Sequence, residues 1–210
     1  MTRALLLLLH LAGFLIFSLV LTHNCSADLT AALNKHASIT INRDNLGKLK
    51  RYDHLIKYFS SFSYFVPNHR VSPDFIRALI LAESNVNPRA VSHKDAIGLG
   101  QIIPSTGKAA ARELAGSATT FRYVKETTLE NLQRKDLFDP AVNILLTCYL
   151  ISKYNYKFNG KLDLVVSAWN AGENTTSLQY GNHAPYQETE NLIGKINGYY
   201  LYLLNQKWSP

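Results

Sequence analysis

The chain is 210 residues long, enough for one domain of ordinary size with a sizeable core. Its 22 Lys and Arg against 15 Asp and Glu give a formal net charge of +7, which suits an anionic partner. No Lys/Arg block or RNA-binding signature accompanies that surplus, which argues against a nucleic-acid binder.

Arg3 is followed by an apolar run over residues 4–21 without Asp, Glu, Lys or Arg. A positive start and an apolar run read as an export signal. The run is long for a cleaved signal core and near the lower limit for a membrane-spanning helix. Residues 1–27 are therefore expected to be a signal peptide, cut after Ala27, or a retained membrane anchor; a buried N-terminal helix is the bland alternative. Asn24 before Cys25 is a poor fit to a lipid-attachment site. With Cys25 in this segment, Cys148 has no intramolecular partner, and a packed thiol is expected.

Residues 28–50 are polar and weakly patterned and are expected to form a lead-in or linker before a single domain over 51–205. A helix is expected over 52–65, with Tyr52, Leu55, Ile56 and Phe59 on one face. Ser72, Pro73 and Asp74 read as N-cap, first helical residue and first-turn acid of a helix ending near Ser84. Gly98 and Gly100 mark a loop. Pro104 opens an alanine-rich helix that Gly116 can end. Asp139 and Pro140 open another, with Ala141, Ile144, Leu145, Cys148 and Ile151 on its apolar face. Helices are expected over 163–169, stopped by Gly172, and over 187–204. No run alternates with period two. The expected fold is mostly α.

One residue does not fit a bland reading of these helices. In the helix from Pro73, Ile76, Leu79 and Ile80 mark the inward face, and the same spacing lands on Glu83. Glu83 also lies near the negative end of the helix dipole. Both burial and dipole push a carboxyl towards its protonated form, as a general acid requires. From this helix alone a second reading stays open, a salt-bridged Glu at the core edge with Arg77 or Arg89 as partner.

The surrounding motifs bear on that choice. Glu83-Ser84 is followed by Asn87-Pro88-Arg89-Ala90, by Ser92, and by Gly98-Leu99-Gly100-Gln101 with Pro104-Ser105-Thr106. Trp169-Asn170-Ala171-Gly172 and Pro185-Tyr186-Gln187-Glu188-Thr189 come later. In this order the motifs resemble the lytic transglycosylases of the soluble-lytic-transglycosylase type, over roughly residues 52–200. The resemblance implies a single lysozyme-like helical domain with a substrate groove, acting on the glycan strands of peptidoglycan. Glu83 would protonate the oxygen between N-acetylmuramic acid and N-acetylglucosamine. As carboxylate, it would then take the proton of the C6 hydroxyl to close a 1,6-anhydro ring without water. Ser92 would bond the substrate N-acetyl group and Gln101 a sugar. Ser84, Trp169, Asn170, Tyr186 and Glu188 would complete the substrate contacts, with Tyr186 a candidate to bond Glu83 or a sugar. Ser84 also reads as a helix C-terminal cap, Asn170 as a local turn bond, Tyr186 as a core residue and Glu188 as a first-turn helix acid.

Two departures from the family pattern stand out. Gly100 replaces a usual Met, which implies a lost apolar contact and a looser loop. Trp169 replaces a usual Tyr, and an indole cannot accept a hydrogen bond. Asp95 also stands where a small residue is common. No HExxH pattern or phosphate-binding glycine loop is present, so neither metal nor cofactor is expected. A lysozyme-type hydrolase and a non-catalytic wall-binding assembly protein are the competing readings. By analogy, an envelope-spanning secretion or transport machine is a further implied partner. The implied location is the periplasm or cell envelope.

Overall fold

A computed structural model describes residues 28–206; the export or anchor segment expected at 1–27 lies outside them. Residues 28–36 are helical (α1). Then come α2 (Arg43–Ser60), α3 (Pro73–Ser84), α4 (Pro104–Ala115) and α5 (Glu126–Glu130), and a 3-10 turn at Arg134–Phe138. The rest is α6 (Pro140–Lys157), α7 (Leu162–Ala171), α8 (Thr176–Gln179) and α9 (Gln187–Asn205). Among the described residues, β structure is limited to isolated bridges such as Val91 with Ile97 and Ile97 with Ile102. None of these helices is long and apolar enough to cross a membrane.

The helix starts follow local chemistry. Ser72 Oγ accepts from Phe75 N at 3.4 Å ahead of Pro73, and Asp139 Oδ1 accepts from Ala141 N at 2.7 Å ahead of Pro140. Helix α3 is then buried on every side from Phe75 to Ala82, so it runs through the core rather than along its edge. It packs chiefly on α9 and also on α2. Each fully buried Leu or Ile here contributes about 1.5–3 kcal/mol by leaving water. Leu79→Ala, at the centre of α3, would cost about 2–5 kcal/mol through the cavity it leaves. Cys148 on α6 is a free thiol packed in the same core, its pKa pushed up by burial.

The lead-in differs from expectation. Residues 28–36 are helical, and α2 begins at Arg43, with Asn42 Oδ1 accepting from Asn45 N at 2.8 Å. Ile41 and Leu49 belong to the core. The cause lies far along the chain. On α9, Gly194 and Gly198 lie against the carbonyls of Ala32 and His36, so close that a Cβ on either would collide. Two glycines four apart thus make a flat seat for α1, and Lys35 Nζ closes the contact on Asn191 Oδ1 at 3.3 Å.

Candidate active site

Helix α3 delivers Glu83 at its last turn, where Asn85 and Val86 end the helix in left-handed conformation (φ 49° and 62°). Val86 is buried and β-branched, so its backbone is strained. Ser84 fastens this end: its hydroxyl lies 2.8 Å from Leu99 O and 3.2 Å from Ile80 O, as donor to either carbonyl. The hydroxyl therefore braces the 98–101 loop against α3, as a cap does, and Ser84 does not line the cavity.

That cavity measures about 130 Å³ and is lined by Glu83, Ser92, Gln101, Trp169, Asn170 and Glu188, together with His93, Lys94, Thr106, Leu150 and Tyr154. Thr106, Leu150 and Tyr154 also border a second, open hollow of about 530 Å³ that Glu113, Lys153 and Glu173 line. Five residues expected at the site besides Glu83 thus meet around one space.

Trp169 Nε1–H donates to Glu83 Oε1 at 2.7 Å. The indole cannot accept, as expected, but it still holds the acid by donating. Burial raises the Glu83 pKa to about 7 against the opposing pull of the Trp169 bond and the Lys195 charge, and the Glu188 carboxylate adds to the rise. The alternative salt bridge to Arg77 does not form, because that guanidinium bonds Asp53 and Asp74. Ser92 Oγ accepts from Lys94 N at 3.2 Å and Ala96 N at 3.1 Å, which leaves its hydrogen available to a ligand acceptor. Gln101 has φ 52°, and its amide nitrogen donates to Gly98 O at 2.9 Å and Ala90 O at 3.3 Å, so part of its capacity braces its own loop. Asn170 Oδ1 accepts from Thr189 Oγ1 at 2.6 Å. Glu188 receives Lys94 Nζ at 2.7 Å, and that bond holds its carboxyl below the usual range.

Tyr186 departs from the expected role beside the acid. It is 55% exposed at the cap of α9, does not line the cavity, and the side-chain bond to Glu83 comes from Trp169 instead. Gly100 departs too: it tightens the loop. Its N–H donates to Asn143 Oδ1 at 2.8 Å, and a Cβ there would run into Thr147 Oγ1. A larger residue has no room. Asp95, in left-handed conformation, is paired with Arg134 on the surface.

Sequence reasoning missed Asn143, Thr147 and Lys195. Asn143 is buried on α6 and ties the loop by donating to Ile97 O (2.9 Å) and Leu137 O (2.8 Å). Its signal was a polar residue inside an apolar helix, since a buried amide needs partners. Lys195 had no local signal.

The described residues thus form a mostly helical domain with the raised Glu83 carboxyl set in a groove. The Transglycosylase SLT domain model matches residues 66–192, and the chain belongs to that family. A Haemophilus influenzae protein named as a candidate soluble lytic murein transglycosylase is 28% identical over 167 residues, 73% of this chain and 26% of its own length. The membrane-bound lytic murein transglycosylase C of Salmonella paratyphi B is 31% identical over 134 residues, 60% of this chain and 34% of its own. The chain thus spans between a quarter and about a third of these curated relatives. The 70 kDa soluble lytic transglycosylase of Escherichia coli shares the fold at a TM-score of 0.59 and 21% identity, over 74% of this chain and 24% of that one.

Proposed function

We propose that the protein is a peptidoglycan lytic transglycosylase acting in the cell envelope, with residues 28–205, lead-in helix included, as its catalytic domain. Residues 1–27 would deliver it there as a signal peptide or anchor. The observation that carries this reading is Glu83, a half-buried carboxyl with pKa near 7, bonded on one oxygen by an uncharged donor inside a groove. Because the indole only donates, Oε1 stays an acceptor and Oε2 carries the transferable proton. Glu83 protonates the glycosidic oxygen between N-acetylmuramic acid and N-acetylglucosamine, and the C–O bond breaks. The substrate's N-acetyl group, held by the Ser92 hydroxyl, stabilises the oxocarbenium-like sugar. The carboxylate then takes the C6 hydroxyl proton, the C6 oxygen bonds to C1, and Glu83 is protonated again. Gln101, Trp169, Asn170 and Glu188 contact the strand. Tyr186, exposed at the groove's end of α9, meets outlying sugar or stem peptide.

Mass analysis of fragments released from purified peptidoglycan tests the reading. Wild type is expected to give 1,6-anhydro products, lighter by one water than hydrolysis products. Glu83→Gln is expected to lose about 10²–10⁴-fold in rate. Unchanged digestion by that variant would remove Glu83 from the chemistry. Glu188 in the same cavity favours a second reading, a hydrolase with two carboxyls. Products containing the added water, lost in Glu188→Gln, would select it.

A further inference from the structure

Lys195 lies outside every motif assigned above, yet its ammonium ends at the helix that carries the acid. Its Nζ donates to the carbonyl of Ala82 at 2.7 Å. Ala82 belongs to the last turn of α3, where carbonyls run out of intrahelical partners. Helix α3 has no basic residue of its own in that turn. The negative end of its dipole and the Glu83 carboxyl therefore meet a cation brought by another helix. The placement is not an ordinary surface one. Lys195 is half-buried, and burial lowers its pKa while the neighbouring Glu83 raises it. The Lys195 charge in turn opposes the burial that raises Glu83.

We propose that Lys195 is a positioning residue for Glu83, capping the end of α3 from α9 and supplying the positive charge against which Glu83 ionises. The inference rests on the reading of Glu83 as acid and then base. The acid step needs a protonated carboxyl and the base step a carboxylate. Burial alone favours the first, and Lys195 makes the second accessible while exchanging no proton itself.

Other titratable groups near Glu83 are Glu188 at the start of α9, with its partner Lys94, and His93 and Tyr154 around the cavity; His36 on α1 lies near Lys195 itself. From α2, Asp53 and Lys57 meet α3 at Arg77, nearer its other end.

The test needs no turnover. The chain has two tryptophans, so Trp208→Phe in the full-length protein leaves Trp169 as the sole indole. Bonded to Glu83, it reports the carboxyl's charge by fluorescence. Emission is expected to titrate with a midpoint near 7, and Glu83→Gln to abolish the transition while His93→Gln retains it. Lys195→Met is expected to raise the midpoint by about one pH unit, and Lys195→Arg to keep it near wild type. The falling limb of product release against pH is expected to move with it. Lys195→Gln serves as the uncharged variant where Met does not fold. A midpoint unmoved by the uncharged variant overturns the proposal. So does emission without a transition that Glu83→Gln abolishes. Failure of the catalytic reading is separate: Glu83→Gln would still release anhydro products whatever Trp169 reports.

Discussion

The two ends of α3 hold buried carboxyl chemistry in opposite states. Towards its start, Arg77 is 3% exposed and donates from Nε to Asp53 Oδ1 at 2.9 Å, while Lys57 Nζ reaches Asp53 Oδ2 at 2.9 Å. Burial pushes the Asp53 pKa up, but the hydrogen bonds from Lys57 and Arg77 outweigh it and hold the carboxyl below its ordinary value. At the other end, Glu83 receives one uncharged donor and a lysine bonded one residue away. There burial wins. Desolvation acts on both acids, and the degree of compensation decides the outcome. A fully paired carboxylate stays anionic as part of the frame. An under-compensated one keeps its proton to higher pH, as the proposed acid-then-base role needs.

The largest way to break this contrast is to uncover the frame. Arg77→Met strips the guanidinium from a buried Asp53 and is expected to cost about 3–5 kcal/mol, read as a lower urea midpoint. In the fraction that folds, the falling limb of the pH–activity curve is expected to stay in place. A limb displaced as far as in Lys195→Met would show that the two ends are one electrostatic unit.

The pH dependence of stability separates the same two acids by sign. Glu83 has a folded pKa near 7 and an ordinary value of 4.5, so between those values the folded state binds more protons than the unfolded one. Its contribution is therefore lost as pH rises through that window and stays lost above it, by about 3 kcal/mol. Asp53, depressed from 3.8, does the reverse: its contribution is present above that value and lost as pH falls below it. Glu83→Gln is expected to be more stable than wild type at pH 8, with the gain shrinking towards pH 5. Urea denaturation at the two pH values measures this. Equal gains at both would mean that Glu83 does not titrate in that window.

What the sequence made legible was local. Ser72-Pro73-Asp74 and Asp139-Pro140 announced two helix starts because a cap acts within four residues. Glu83 stood out because its own helix marked the inward face. The remainder depends on partners remote in sequence. The Trp169 bond to Glu83 spans 86 positions and the Lys195 bond to Ala82 spans 113. Gly100 read as a loosened loop until Thr147, on a different element, showed that the space was already filled. The helical lead-in was hidden likewise, since its seat is a pair of glycines on the last helix.

The finest contrast concerns the donor itself. At Asp53 the donors carry charge; at Glu83 the indole does not, so it orients the acid with little power to hold it ionised. Trp169→Phe removes that bond and is expected to lower the rate of glycan cleavage about ten- to a hundredfold, since a hydrogen bond to a charged group contributes about 1.5–3 kcal/mol. Because the bond favours the carboxylate, its loss raises the Glu83 pKa further and moves the falling limb to higher pH. Trp169→Tyr restores a donor that can also accept, so the proton is no longer confined to Oε2, and an intermediate rate is expected. Initial rates on soluble glycan strands between pH 5 and 9 distinguish these outcomes. A Phe variant with wild-type rate and an unmoved limb would leave the indole as a packing group and return the orienting role to the backbone of α3.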